Sequence, residues 1–197
     1  MLRHLRIAAA SLLMIVFASS AYAQGMNIRG TIEAFDGKTV TVRTKDGSKA
    51  MVDVPDKTRI ATTKPFTMKD VKPGMTLGVT TVKRKDGKIV AIDLRPIPPA
   101  ARQGLFPYDL APQSTMTNAK YEGGVTAAGG QEITLNHGTG TVKVLVTDQT
   151  AMSQAAPGSR SDVKQGETIY VFATKGDGGR LTAVRLQVSK DGVKPTQ

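Results

Sequence analysis

Few side chains in this chain combine the type and the spacing that chemistry requires. Beyond the first 23 residues there is one histidine, His137, held in Asn136-His137-Gly138. A Ser-His-Asp site would need a positioned serine beside it, and the spacing supplies none. Cysteine is absent, so thiolate nucleophiles, thiolate metal sites and disulfides are excluded. The carboxylates concentrate in Asp-Gly pairs such as Asp36-Gly37 and Asp46-Gly47, where an aspartate bonds its own turn. Met26, Met51, Met68, Met75, Met116 and Met152 are scattered. Thioethers hold cuprous ions only when clustered, so these methionines read as packing residues. No catalytic set, metal set or cofactor site is read, and the chain is not expected to be an enzyme.

Two groups of side chains invite a binding role. Lys83, Arg84, Lys85 and Lys88 gather at one turn and form a candidate anion-binding cluster. The other group is apolar and polar by turns: Phe106, Tyr108, Asp109, Ser114, Thr115, Met116 and Asn118 in one stretch, with Tyr170 and Phe172 further on. These are candidate docking or partner-binding residues. The reading of both groups depends on the elements that carry them.

Those elements are set by a repeat. Asp70-Val71-Lys72-Pro73-Gly74-Met75-Thr76-Leu77 returns 92 positions later as Asp162-Val163-Lys164-Gln165-Gly166-Glu167-Thr168-Ile169. Upstream the offset is 93, matching Gly30 with Gly123, Ala34 with Ala127, Val40 with Ile133 and Val42 with Leu135. In the first copy, residues 28–35, 38–45 and 48–54 alternate apolar and polar with period two, the mark of half-buried strands. Asp36-Gly37 and Asp46-Gly47 join them as tight turns. After Pro55 the alternation stops, and Thr67-Met68-Lys69-Asp70 reads as a capping box opening one helical turn. Residues 76–83 and 88–95 are two further strands. Three strands, a helical turn and two strands are the element order of a five-stranded Greek-key barrel of the OB type. The expected fold is all-β: two tandem OB-like barrels over 27–95 and 120–188. In the second copy Ile169 and Val171 take inward positions, so Tyr170 and Phe172 should face outward and be covered by something.

The start of the chain reads as an address. Arg3 and Arg6 precede an apolar run from Ile7 to Phe17, then Ala21-Tyr22-Ala23, a small-x-small cleavage site. A run of 11 residues is too short for a bilayer, which needs roughly 20. Cleavage after Ala23 would leave a periplasmic or secreted chain of 174 residues with 25 basic and 16 acidic side chains. Most of the excess lies in 27–95, with 15 basic against 8 acidic residues, against 9 and 7 in 120–197. Such a chain suits an anionic envelope partner. Nucleic acid is not expected, because an OB surface grips bases with aromatic rings on its second and third strands. Residues 38–45, 48–54, 131–136 and 141–147 carry no Phe, Tyr or Trp.

Between the copies, residues 96–119 are proline-rich yet hold Leu105, Phe106, Tyr108, Leu110 and Met116. Four or five such side chains are too costly to leave in water, so the segment should dock on the barrels, with Tyr170 and Phe172 as receivers. Residues 189–197 lack periodicity and read as a flexible tail.

The run from Phe106 to Ala119, FPYDLAPQSTMTNA, resembles a segment of an exported bacterial family with tandem OB-like barrels of unknown function. Tyr108 stands where that family usually has Trp, and Gln113 where it usually has Gly. Its usual ending of two prolines after Lys190-Asp191-Gly192 is reduced to Pro195. Members often carry the name of a metal ABC transporter permease, yet no span follows the apolar run here. The resemblance thus implies fold and compartment. The functional expectation is a non-enzymatic protein that binds or scaffolds an envelope partner, the other reading being an accessory factor for metal-ion handling or uptake.

Overall fold

A computed structural model describes residues 25–197; the expected signal peptide and its cleavage site lie outside the described residues. The protein is all-β. The alternating stretches form β1 (Gly25–Phe35), β2 (Thr39–Thr44) and β3 (Lys49–Asp53). They also form β5 (Thr76–Lys83), β6 (Ile89–Pro96), β8 (Thr115–Ala127), β9 (Gly130–Asn136) and β10 (Thr141–Val146). β12 (Thr168–Lys175) and β13 (Leu181–Val188) close the list of expected strands. Three more were not foreseen: β4 (Arg59–Pro65), β7 (Gly104–Pro107) and β11 (Ala151–Pro157). Where a helical turn was expected, each copy makes a three-residue 3-10 turn, Met68–Asp70 and Arg160–Asp162. In the first, the Asp70 carboxylate accepts the Thr67 N–H and hydroxyl, both at 2.8 Å.

Five strands close a β-barrel. β1 pairs with β2 and β2 with β3; β3 runs parallel to β13, β13 pairs with β12, and β12 returns to β1. Its interior holds Val40, Val42, Val52 and Val171, all fully buried, with Ile32 and Leu186. Each such side chain is worth about 1.5–3 kcal/mol of burial. The same circuit of pairings runs through β8, β9, β10, β6 and β5 around a second core of Leu77, Val79, Leu94, Ile133 and Leu135.

The division into 27–95 and 120–188 does not survive as a division into barrels. The first circuit takes its strands from 25–53 and 168–188, the second from the continuous stretch 76–146. The repeats are repeats of sequence, and each circuit completes itself with strands of the other copy. β4 and β11 bridge the two circuits: β4 lies against β13, β11 against β6, and the two pair antiparallel with each other. Thr63 sits opposite Ala155, its own counterpart 92 positions on, so a local twofold axis passes between these strands.

Register also revises the upstream match. β1 carries a bulge after Ile32 and β8 one after Tyr121, an offset of 89, while β2 and β9 keep 93. Gly30 is thus the structural counterpart of Ala119, and the β8–β9 hairpin is four residues longer than β1–β2. The expected flexible tail is tied down. The Lys190 N–H donates to the Thr63 hydroxyl at 3.2 Å, and the Ser153 hydroxyl donates to that of Thr196 at 3.3 Å. The Gln197 side-chain amide reaches Gln187 Oε1 at 2.8 Å. The bridging strands offer polar groups that need partners, and the tail supplies them.

Candidate ligand cleft

The inter-repeat segment folds back as a hairpin. β7 pairs with the start of β8, setting Phe106 beside Met116 and Pro107 beside Thr115. Its tip is held by Ser114, whose hydroxyl donates to the Tyr108 carbonyl at 2.8 Å and accepts the Ala111 N–H at 3.1 Å. Asn118 donates to the Arg102 carbonyl at 3.0 Å, and the Thr81 hydroxyl reaches the Thr115 carbonyl at 3.4 Å. Ser114 thus bonds nearby backbone, as Ser commonly does, while Asn118 ties the strand to backbone 16 residues away. Arg102 lies over the Phe106 ring at 4.9 Å. Met116 is buried, its sulfur 3.6 Å from Arg95 Nη2.

The tip reaches across to β1. The Asp109 carboxylate accepts from Arg29 Nη2 at 2.8 Å and from Asn27 Nδ2 at 3.0 Å. Burial would raise the Asp109 carboxyl, but the bond and charge of Arg29 outweigh it and hold the group below its ordinary range. The Arg29 guanidinium lies 5.3 Å from the Tyr108 ring and 5.6 Å from the Tyr170 ring. Cation–π contacts of this kind contribute about 0.5–1 kcal/mol each. Tyr170 is 2 % exposed, although it points away from the barrel interior. Its hydroxyl donates to Asn27 Oδ1 at 2.8 Å, and burial pushes the phenol up to about 12. Phe172 is half-buried under Arg185, whose guanidinium sits 4.7 Å from its ring and 5.9 Å from that of Tyr170.

Beside this stack the two circuits leave a cleft of about 710 Å³. Its lining is apolar at Pro96, Ile97, Pro98, Ala155 and Pro157. The same lining carries Arg59, Arg95, Arg185, Gln187 and Tyr170. Arg95 is committed: it binds the Asp93 carboxylate at 2.9 Å, and Asp93 is 1 % exposed. Burial raises the Asp93 carboxyl, partly offset by Arg95 and Thr80. Arg59 and Arg185 are exposed, and among the described residues neither has a carboxylate partner. They are register partners on adjacent parallel strands.

The basic cluster stands apart. Lys83, Arg84, Lys85 and Lys88 are fully exposed at the β5–β6 turn, and no ion pair among the described residues uses them. His137 lies in the β9–β10 turn with its Nδ1 3.1 Å from the Thr139 hydroxyl. No group of three His, Cys, Asp or Glu among the described residues could hold a metal, and no described helix could cross a membrane. The cleft itself was missed from sequence, because Arg59 and Arg185 lie 126 positions apart and in no motif. The available signal was a charge reversal within the repeat: Arg185 is the counterpart of Asp93. Compared with protein-family models, curated proteins and solved structures, the chain matches none.

Proposed function

We propose that the chain is an exported, periplasmic, non-enzymatic pair of OB-like barrels that binds an anionic component of the cell envelope in the cleft between them. One observation carries this reading: the cleft gathers three arginines, and among the described residues only Arg95 is neutralised by a carboxylate. Docking of the hairpin supports it, since Asp109 holds Asn27, which in turn accepts from the cleft residue Tyr170 before any partner arrives. The OB-like reading rests on the circuit of pairings and on the family resemblance.

The test uses the chain from Gln24 onward and immobilised envelope extracts. A retained anionic component should elute as salt rises, because screening acts over about 8–10 Å at physiological ionic strength. Replacing Arg59 and Arg185 by Ser should abolish retention, while replacing Lys83, Arg84, Lys85 and Lys88 by Ser should reduce only its salt slope. If the second set alone governs retention, the contact lies on the β5–β6 turn and the cleft reading fails. Calorimetry with copper, zinc and manganese checks the metal-handling alternative, which stoichiometric binding tighter than about micromolar would favour.

A further inference from the structure

Arg59 and Arg185 face each other across two adjacent parallel strands. Side chains at paired positions stand on the same face, and like charges set directly opposite destabilise a sheet. The repulsion is not relieved from within, because neither side chain has a carboxylate partner among the described residues. Arg185 is nonetheless held in place. Its Nη2 donates to the Tyr170 hydroxyl at 3.3 Å, and its guanidinium covers the Phe172 ring at 4.7 Å. Two cations at paired positions, both lining one cleft, suit one anionic group, since planar guanidiniums take carboxylate or phosphate oxygens in pairs. The same lining holds Pro96, Ile97, Pro98 and Pro157, an apolar surface without charge. The volume, about 710 Å³, lies in the range of small-molecule sites.

Resting on the binding function proposed above, we infer that the cleft takes a small amphiphilic anion: a phosphate or carboxylate head between Arg59 and Arg185, with an apolar body against the proline-lined wall. An open polyanion groove would need a track of unpaired cations; among the described residues this cleft has two, at paired positions, beside an Arg95 that Asp93 already holds.

Calorimetry on the chain from Gln24 onward, with octyl phosphate, octanoate, inorganic phosphate and octanol as probes, tests the inference. Octyl phosphate or octanoate should bind once per chain, at least tenfold tighter than inorganic phosphate or octanol. Arg59→Ser with Arg185→Ser should weaken that binding at least tenfold, and Ile97→Ser should weaken the octyl probes while sparing inorganic phosphate. Equal affinity for inorganic phosphate and octyl phosphate would remove the apolar subsite, and absence of binding by both octyl probes would sink the inference outright. In that last case arginine-dependent retention of envelope material would leave the broader binding function standing, whereas its loss as well would end both.

Discussion

Asp93 and Arg185 occupy the same place in the two circuits, 92 positions apart, with opposite charge and opposite fates. Asp93 is 1 % exposed and receives the Thr80 N–H at 3.2 Å, the Thr80 hydroxyl at 3.0 Å and Arg95 at 2.9 Å. In the other copy Thr80 is replaced by Phe172 and Arg95 by Gln187; among the described residues Arg185 meets no acid, and it lies over aromatic rings instead. One circuit spends its charge on itself; the other presents it. The difference teaches where a repeat protein keeps stability and where it keeps a surface free for something else.

The largest test of that contrast removes each cation. Arg95→Met strands a buried carboxylate and should cost about 3–5 kcal/mol, while Arg185→Met gives up an exposed cation's contacts to Tyr170 and Phe172 and should cost only about 0.5–1.5 kcal/mol. Urea denaturation of both variants decides it, and equal losses would erase the distinction between the copies. The hairpin over 104–119 supplies the second test. Tyr108→Ala with Met116→Ala should cost about 2–5 kcal/mol and open the segment to proteases. Ser114→Ala with Asn118→Ala should cost about 1 kcal/mol for each lost hydrogen bond.

A smaller test uses pH, and the two acids move in opposite senses. Asp109 is held low by Arg29, so the stability it adds is present above the ordinary aspartate value of about 3.9 and is lost as pH falls through its folded value. Against Asp109→Asn the native chain should lead by about 0.2–1 kcal/mol near pH 6, and the lead should vanish in acid. Asp93 is held high by burial, so protonation favours the folded state as pH falls through its folded value. Carboxyl NMR titration should find Asp109 below the ordinary value and Asp93 above it. A last test concerns Gln113, whose φ of 57° lies in the left-handed region. Gln113→Gly should stabilise the hairpin by about 0.5–1 kcal/mol, measured as a rise in urea midpoint.

Much of this was legible in the chain. Val40, Val42, Val52 and Ile169 mark their strands because one face of each is buried, and burial writes a period of two. β4 and β11 escaped because their inward residues are polar. Thr62, Thr63 and Ser153 are buried with their hydroxyls bonded to Pro157, Val188 and Thr196, so no apolar alternation appears. The aromatic stretch suggested docking through Tyr108 and Met116, and what its tip meets is Arg29 and Asn27 of β1, with Tyr170 beneath the same Arg29. Which copy completes which barrel was not legible. Two copies with the same apolar positions offer equivalent edges, and only connection lengths and the β4–β11 pairing choose between them.

That choice has a consequence for the order in which the molecule assembles. The circuit over 76–146 is continuous in the chain and can close by itself, whereas β1 must find β12, with Ile28 meeting Val171 some 143 positions away. Closing so long a loop in an unstructured chain is slow and entropically costly. Once the inner circuit has formed, β4 and β11 emerge from its two ends side by side, and the search left to the outer strands is short. The continuous half therefore acts as a template for the discontinuous one. A chain cut before residue 168 should retain the inner circuit and leave β1, β2 and β3 as an open sheet with two unpaired edges, a form prone to self-association.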